Sequence, residues 1–574
     1  MLNLLTRLIR SSLLVAAATP LLASNAQDAR FEVLAARFSE QYLRTHPESA
    51  TQLGDHRFDA QVSDLSANGF ARDRQFFRDT LKALGAIPKH QLSADNAVDA
   101  AILENALRAG LFDIDALKVA QREPLIYNPA QGLNLLLARD FAPLKLRLLS
   151  LKGRLKALPD QLKAARQNLQ NPPRVFTETA IQQNLGAIGL LRDDLEVALR
   201  AEPAMRAQIE PLRHQAMTSL QAYGDWLKQE LLPRSTGEFR LGAAHHREKL
   251  RYSLDADVPP EAVLQQAERE LVEVQAQMLD TAKPLYRDYF PERTLDGQAP
   301  KAIIRAVLDK LAESRPDNDS IVAAAKRDLA EATEFVRAHQ IVSVPNDPVQ
   351  VIVMPEFARG VAIAYCDAAG PLEKNGATFY AISPTPKDWS ASRATSFYRE
   401  YNDAMLKNLT VHEAMPGHYL QLNVGNKARS RTQIRQIFSS GLFAEGWATY
   451  TEQLMADAGY GGPQVRMQQL KMRLRMLINA IIDQKIHAGD MGEKEAMALM
   501  MEEGFQEEGE AAGKWRRAQL TSGQLSTYYV GNLEVNRLAR DLTASSAGDL
   551  KTVNDRILGF GTIAPRYIRQ LLKL

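Results

Sequence analysis

Apolar residues recur with a helical period along most of the chain. Between residues 30 and 340 they form a succession of amphipathic stretches bounded by proline, such as Pro259 and Pro260 before one stretch and Pro284 after it. In that stretch the apolar positions are Val263, Leu264, Ala267, Leu271, Val274 and Met278. This spacing is close to that of one helical face, so the first half of the chain is predicted to be a series of helices.

The pattern changes near residue 341. Four short β-branched or aromatic runs follow, at residues 342–344, 349–353, 360–365 and 378–382, separated by proline, glycine and asparagine. They predict a small sheet. Such a sheet could hold an extended substrate along its edge strand, or it could only cap the core, and the composition favours neither.

Helical periodicity returns at about residue 389 and continues to the end. Residues 470–487 carry a clean apolar stripe that ends with Asp483 and His487, four residues apart and hence on one face. A histidine at the end of an apolar helix is more often a core or capping group than a catalytic one. The fold class predicted for the whole chain is therefore mainly α, with a small β-sheet.

The first 26 residues have the pattern of a signal peptide. Arg7 and Arg10 precede an apolar run at 11–23, and small residues up to Ala26 suggest cleavage before Gln27. The alternative is a membrane anchor, but the run is shorter than the ~20 residues that a span needs. It has no cysteine near its end for a lipid anchor. A periplasmic or secreted protein with no membrane span in the mature chain is expected.

Composition supports an ordinary globular protein. Hydrophobic residues make up 45%, charged residues 24%, and the net charge is +2, which gives no reason to expect a nucleic-acid or membrane-surface partner. Cys366 is the single cysteine and is expected to be a small buried hydrophobe. Without linkers or repeats, residues 27–574 are predicted to be one large helical domain, with parts at 27–340, 341–385 and 386–574. Composition leaves the oligomeric state open.

The candidate chemistry lies at residues 411–421. Glu413 directly follows His412, as in the His-Glu-x-x-His helix of zinc hydrolases, but His418 comes six residues after His412 instead of four. Six residues turn a helix by about 240° beyond a full circle, which would aim the two rings apart. Pro416 and Gly417 stand before His418 and can unwind the helix there, bringing the second imidazole back.

A catalytic zinc ion usually has three protein ligands and one open position. Glu445 is the best candidate for the third, because the 27 residues after His418 leave room for a turn and a second helix running back. One zinc ion per chain, held by His412, His418 and Glu445, is therefore predicted. The alternative is a buried polar cluster without a metal ion, which is disfavoured because burying so many unpaired polar side chains would cost folding free energy. The other histidine pair, His245 and His246, has no carboxylate at metal spacing and is expected at the surface or in a loop.

These motifs, with others far apart, resemble the bacterial domain-of-unknown-function-885 family. The further matches are PESAT at 47–51, LGDHRFD at 53–59, YREYN at 398–402, the pair Asp483 and His487, and Gly523-Gln524 with Tyr528 and Gly531. The resemblance implies a long-helix, zincin-like metallopeptidase of the type whose last zinc ligand is glutamate. It also adds His487 to the candidate catalytic residues.

Zinc chemistry suggests the remaining roles. Glu413 would accept a proton from the attacking water, and Tyr528, or else Tyr529, would donate a hydrogen bond to the oxyanion. The expected function is hydrolysis of a peptide or related amide bond. Esterase or non-peptide amidase activity at the same site remains an alternative, as does a non-catalytic helical binding protein, although the intact Glu413 argues against the latter. A group to hold a substrate terminus could be Arg399, Arg517 or Lys485.

Overall fold

The protein is mainly helical, with one small sheet. The computed structural model describes residues 26–256, 258–354, 363–373, 376–386, 389–545 and 548–574. The predicted signal peptide lies outside the described residues except for Ala26, which begins the first helix. The helices before the sheet are α1 (Ala26–Thr45), α2 (Pro47–Leu53), α3 (Ala67–Gly85), α4 (Ala94–Asp115), α5 (Val119–Arg122), α6 (Ala130–Ala138), α7 (Leu144–Asn168), α8 (Arg174–Gly189), α9 (Leu195–Ala201), α10 (Arg206–Trp226), α11 (Ala243–Leu254), α12 (Pro260–Tyr289), α13 (Pro300–Leu311) and α14 (Ile321–Ala338). The prediction of successive helices is confirmed.

Helix α12 shows how the apolar stripe is used. Five of its six predicted apolar positions, all except Leu264, are fully buried, so this face packs into the core. The prediction that Pro284 ends the helix is wrong, because α12 continues through it to Tyr289. Proline removes one backbone hydrogen bond. Burial of Ala282, Leu285 and Tyr286 on either side of Pro284 offsets that loss.

The sheet has three strands, β1 (Val349–Val353), β2 (Ala364–Asp367) and β3 (Thr378–Ile382), in the order β1-β3-β2. Strand β1 is parallel to β3, with Val349 opposite Thr378, and β2 is antiparallel to it, with Ala364 opposite Ile382. The predicted sheet is confirmed, although residues 360–362 of one predicted run lie outside the described residues.

The predicted strand at 342–344 is wrong. Its central backbone N–H donates to the carboxylate of Asp555 at 2.8 Å rather than to a neighbouring strand. The side chain of Ser343 also donates to Asp555, at 2.6 Å. The segment is therefore tied to a helix near the end of the chain, and strand propensity alone could not reveal that partner.

The helices after the sheet build the rest of the molecule. They are α15 (Ala391–Glu400), α16 (Asp403–Glu413), α17 (His418–Gly425), α18 (Ile434–Ile437), α19 (Gly441–Asp457), α20 (Gly462–His487), α21 (Glu493–Ala498), α22 (Glu508–Leu520), α23 (Ser526–Ser545), α24 (Leu550–Leu558) and α25 (Pro565–Leu572). Side chains cap the two helices that carry the candidate site. Asn402 accepts from the N–H of Met405 at the start of α16, and Ser440 accepts from that of Phe443 at the start of α19.

Helices α19 and α23 pack with their backbones in contact. A Cβ atom on Gly446 would lie 2.4 Å from the carbonyl carbon of Gly531, and one on Gly531 would lie 2.3 Å from the oxygen of Leu442. Only glycine fits at both positions. The crossing fixes the distance between Glu445, next to Gly446, and Tyr528, one turn before Gly531 on α23.

Within the described ranges, no helix is both long enough and apolar enough to cross a bilayer.

Candidate metal centre

A break between two helices brings the two site histidines together. Helix α16 ends at Glu413 and α17 begins at His418, so His412 and His418 belong to different helices. A Cβ atom on Gly417 would lie 1.9 Å from the carbonyl oxygen of His412, so the turn can be this tight only with glycine. The indole of Trp447 on α19 donates to the carbonyl of Pro416 at 2.9 Å and anchors the turn. The prediction that the Pro-Gly pair unwinds the helix is confirmed.

His412, His418 and Glu445 form a compact group of potential ligands. Oε2 of Glu445 lies 3.5 Å from Nε2 of His412 and 3.6 Å from Nε2 of His418, and one ligand atom from each residue lies within 4.8 Å of the others. Ligands about 2.1 Å from a tetrahedral zinc ion are about 3.4 Å apart. The two distances to Glu445 therefore match the edges of a tetrahedral site.

The Glu445 carboxylate has an unusual environment. Its Oε2 atom is buried and accepts no hydrogen bond from any described residue. Burial would raise the pKa of Glu445, but the two histidines hold it well below its usual value. An ionised, buried oxygen without a donor is costly unless a cation neutralises it. This oxygen is the strongest indication that the group fits a metal ion.

A second carboxylate orients the imidazole of His412. Oε1 of Glu452 lies 2.7 Å from Nδ1 of His412, and the amide of Asn408 donates to the other oxygen of Glu452 at 2.7 Å. A proton on Nδ1 satisfies this contact, and in that neutral tautomer the lone pair of Nε2 would face the ligand group. Burial lowers the pKa of His412, but the carboxylates of Glu445 and Glu452 raise it well above its usual value.

Glu452 and Asn408 were not among the site residues predicted from the sequence. Glu452 lies seven residues after Glu445, and Asn408 four before His412, so each shares a helical face with a predicted ligand. That spacing is the signal that could have identified them.

Glu413 is the last residue of α16 and is 9% exposed. Its side chain forms no hydrogen bond or ion pair with any of the described residues. Strand β2 packs against both α16 and α17. Burial raises the pKa of the Cys366 thiol on β2, and the charge of Glu413 raises it further. Cys366 itself is only partly buried, rather than fully buried as predicted.

The two adjacent tyrosines point in different directions. The ring of Tyr528 lies 6.5 Å from that of His412, and its hydroxyl accepts a hydrogen bond from Arg517 at 3.0 Å. Tyr529 is fully buried and donates to Glu270 on α12 at 2.9 Å. The geometry thus brings Tyr528 next to the ligand group and leaves Tyr529 in the core.

His487 lies in a separate polar cluster. Its Nε2 atom is 2.8 Å from the carbonyl of Ala518 and 2.9 Å from that of Thr521, so it donates to the last turn of α22 and to the residue that follows this helix. Burial lowers its pKa. The ring stacks on that of His246 at 5.5 Å. His487 therefore holds the end of α22, and among the described residues it makes no hydrogen bond or ion pair with the three candidate ligand residues.

Two neighbours of His487 complete this cluster. Asp483 accepts from the N–H of Gly523 at 2.9 Å and from the hydroxyl of Ser526 at 2.5 Å, and so fixes the first turn of the helix that carries Tyr528. His246 is only 2% exposed and lies 3.5 Å from Asp483. The prediction that His246 lies at the surface or in a loop is wrong, because its partner comes from α20, far away in sequence.

A cavity of about 700 Å³ adjoins the sheet. Its lining includes Cys366 and Asp367 of β2, Leu422 and Gly425 of α17, and His56 from the N-terminal part. None of the three ligand residues lines it. The cavity therefore neighbours the ligand group across α17 and β2 without containing it.

Two solved structures share the fold. One, described as a "putative lipoprotein of unknown function" from Shewanella oneidensis, is 31% identical, covers 95% of this chain and 100% of its own, and superposes with a TM-score of 0.79. The other, a "putative lipoprotein" from Colwellia psychrerythraea, is 16% identical with a TM-score of 0.76, over 95% of this chain and 99% of its own. No curated protein matches the chain in sequence. The sequence profile of a bacterial family of unknown function matches residues 47–572, and the chain therefore belongs to that family, DUF885.

Proposed function

We propose that the protein is a zinc-dependent hydrolase that cleaves a peptide or related amide bond. The observation that carries the proposal is the buried Oε2 atom of Glu445, which lacks a donor and lies 3.5 and 3.6 Å from two imidazole nitrogens. The unpaired carboxylate of Glu413 follows directly after the first of these histidines. This combination of ligands and a free base suits metal-assisted hydrolysis.

His412, His418 and Glu445 would hold one zinc ion per chain. Bound there, zinc would polarise a substrate carbonyl and lower the pKa of water in the open position. The donor set of two imidazoles and one carboxylate occurs in catalytic zinc sites. The arrangement, with the histidines on α16 and α17, the glutamate on α19 and a small sheet alongside, supports a zincin-like fold.

The residues of the chain supply the remaining steps. Glu413 accepts a proton as water adds to the carbonyl carbon, and it returns a proton to the leaving nitrogen when the C–N bond breaks. Tyr528 is neutral at physiological pH, since burial raises its pKa, and its hydroxyl can donate to the developing oxyanion. Glu452 keeps the His412 ring in the required tautomer.

Replacement of Glu413 by glutamine tests the proposal. The change keeps the volume of the side chain but removes the proton acceptor, so zinc should remain bound while hydrolysis falls by about 10²–10⁴-fold. Zinc is measured by elemental analysis, and hydrolysis on mixed-sequence peptide, ester and non-peptide amide libraries. His412→Ala is the matched variant and should lose metal and activity together.

The outcomes separate the alternatives. If Glu413→Gln keeps both zinc and full turnover, Glu413 is not the base and the mechanism is wrong. Turnover of esters or non-peptide amides alone would replace the peptidase assignment. A protein that binds zinc but cleaves none of the libraries would be the non-catalytic binding protein.

We also propose that the chain is exported. The two similar structures are described as lipoproteins, yet the only cysteine of this chain is Cys366, in β2, which cannot carry an N-terminal lipid. Cleavage after Ala26 without lipid attachment is therefore expected. N-terminal sequencing and mass spectrometry of the native protein from a periplasmic extract should find a first residue at Gln27. A chain that still begins at Met1 would contradict export.

A further inference from the structure

Helix α22 presents two cations that the proposed mechanism does not use. The side chain of Lys514 is 7% exposed, and Arg517 follows it by three residues on the same face. Within the described ranges, neither residue has an ion-pair partner within 4 Å, and the ammonium group of Lys514 has no hydrogen bond. The largely buried side chain thus presents an ammonium group that no described carboxylate pairs with, which leaves room for an anionic partner from outside the chain.

The nearby acidic groups are already occupied. Glu510 accepts from Tyr401 at 2.9 Å and pairs with Arg475 at 3.2 Å. Glu400 pairs with both Lys471 and Arg475 at 2.9 Å. Two carboxylates and two cations balance within this group, so neither carboxylate is left to pair with Lys514 or Arg517.

Both cations lie beside the candidate metal centre. Arg517 donates to the hydroxyl of Tyr528 at 3.0 Å, and the ring of Tyr528 lies 6.5 Å from that of His412. Burial and the charge of Arg517 lower the pKa of Lys514 to about 7, while the negative charges of Glu510 and Glu445 act in the opposite direction. Lys514 lies one helical turn before Arg517, on the face of α22 that reaches Tyr528. A zinc ion at that carboxylate would make the region still more attractive to an anion.

The other candidates for holding a substrate terminus have partners elsewhere. Arg399 pairs with Asp309 at 2.6 Å and Glu507 at 3.4 Å. Lys485 pairs with Glu268 at 2.6 Å and is 40% exposed. Of the three residues singled out in the sequence, only Arg517 is directed to the ligand group.

We propose that Lys514 and Arg517 bind a carboxylate group of the substrate next to the bond that is cleaved. This inference rests on the proposed function and specifies its substrate class. The carboxylate can be the C-terminus of a peptide, which would make the protein an exopeptidase that releases a C-terminal fragment, or the side chain of an acidic residue. Two cations around one carboxylate match its two oxygens, each of which accepts charged hydrogen bonds.

The experiment uses the zinc-loaded full chain and one mixed-sequence peptide library prepared in two forms, as free C-terminal acids and as C-terminal amides. Products are identified and their rates measured by mass spectrometry. Free acids should be cleaved near the C-terminus at least ten times faster than the corresponding amides. Equal rates that depend instead on Asp or Glu beside the cleaved bond would identify the side-chain carboxylate as the ligand.

Lys514→Met tests the site itself. Because the ammonium group of Lys514 forms no hydrogen bond with any described residue, its replacement by the similarly long Met removes the charge without breaking a polar contact in that part of the chain. Loss of one charged hydrogen bond should raise KM for free acids by about 10- to 100-fold and leave the rate on amides unchanged. Lys514→Arg should recover part of the preference. Arg516→Met, which removes an exposed cation from another face of α22, is the matched control. It should change neither KM for free acids nor the rate on amides.

The possible failures are distinct. If wild-type protein cleaves acids and amides equally, with no acidic preference, the carboxylate site is wrong and the hydrolase remains. A Lys514→Met variant that slows acids and amides alike would also overturn the site, because it would assign Lys514 to the chemistry. If no peptide of either form is cleaved, the proposed function itself fails.

Discussion

His412 lies between two carboxylates of a single helix. Nε2 faces Glu445 at 3.5 Å, and Nδ1 contacts Glu452 at 2.7 Å. The two glutamates lie two turns apart on α19, so one helix supplies both a proposed ligand and the group that orients another proposed ligand. The affinity for metal should therefore depend on a residue that does not touch it.

Glu452→Gln tests this dependence. Glutamine can still contact the imidazole, but it lacks the charge that fixes the proton on Nδ1. Zinc affinity, measured by competition with a chelator, should fall by about 10–100-fold. Asp457→Asn, at the end of the same helix and paired with Arg466, is the matched control and should leave the affinity unchanged. Equal affinities for Glu452→Gln and wild type would refute the orienting role.

At the residue scale, the motif residues could be predicted from the sequence, but the residues that surround and orient them could not. His412, His418 and Glu445 stand in a recognisable pattern, and the structure brings them together. Glu452 and Lys514 are charged residues in amphipathic helices, where most charges are solvated, and only burial distinguishes them. His487 was a predicted catalytic residue, but a histidine at the end of an apolar helical stripe is equally typical of a structural contact.

At the scale of elements, the site depends on the contact between α19 and α23. The glycines at the crossing bring Glu445 and Tyr528 to facing helices with no side chain between the backbones. An added methyl group would push the helices apart and move both residues.

Gly531→Ala should therefore destabilise the protein and reduce zinc affinity. The new Cβ would lie 2.3 Å from the oxygen of Leu442, and overpacking of this kind costs about 1–3 kcal/mol. Thermal unfolding and zinc competition give the two readouts. Gly513→Ala, on α22 with nothing within 4 Å of the added carbon, should instead stabilise its helix by about 1 kcal/mol. A Gly531→Ala variant as stable as wild type would show that the crossing can relax.

Whether a segment is a helix or a strand was largely predictable from the spacing of its apolar residues, because the buried face of each element must be apolar. The exceptions, the 342–344 segment and Pro284, depend on contacts that periodicity does not encode. One is a hydrogen bond to a residue 212 positions away, and the other is packing on both sides of a proline.

At the scale of the whole molecule, a histidine joins the start of the chain to the sheet beside the site. Nδ1 of His56 lies 3.0 Å from Asp59, and Nε2 lies 2.7 Å from Glu373, which precedes β3. Both ring nitrogens face carboxylates, so the imidazolium form satisfies both. Burial would lower the pKa of His56, but these two carboxylates raise it above its usual value.

A raised pKa in the folded state gives stability at low pH. The contribution is fully present below the unfolded pKa of about 6.5 and is lost as the pH rises through the folded pKa. His56→Gln should therefore lower the thermal midpoint at pH 5.5, by an amount equivalent to about 1 kcal/mol, and much less at pH 9. A difference from wild type that is the same at both values would show that His56 is not charged in the folded protein.

Contacts of this range were not predictable from one sequence. The family motif LGDHRFD drew attention to residues 53–59, but it did not reveal their contact with the segment before β3. There the carbonyl of Leu53 accepts a hydrogen bond from the N–H of Leu372 at 2.8 Å. Likewise, Arg435 pairs with the buried Asp99 at 2.5 Å, across 336 positions. A single sequence contains no record of which distant residues meet.

The spacing of Glu445 and Glu452 limits how this chain can vary in length. One residue inserted between them would turn Glu452 by about 100° around α19 and away from His412. A deletion would do the same in the opposite sense, while Glu445 stayed in place. In relatives that keep this site, insertions and deletions should therefore avoid the seven-residue interval, even where they are accepted elsewhere on the same helix.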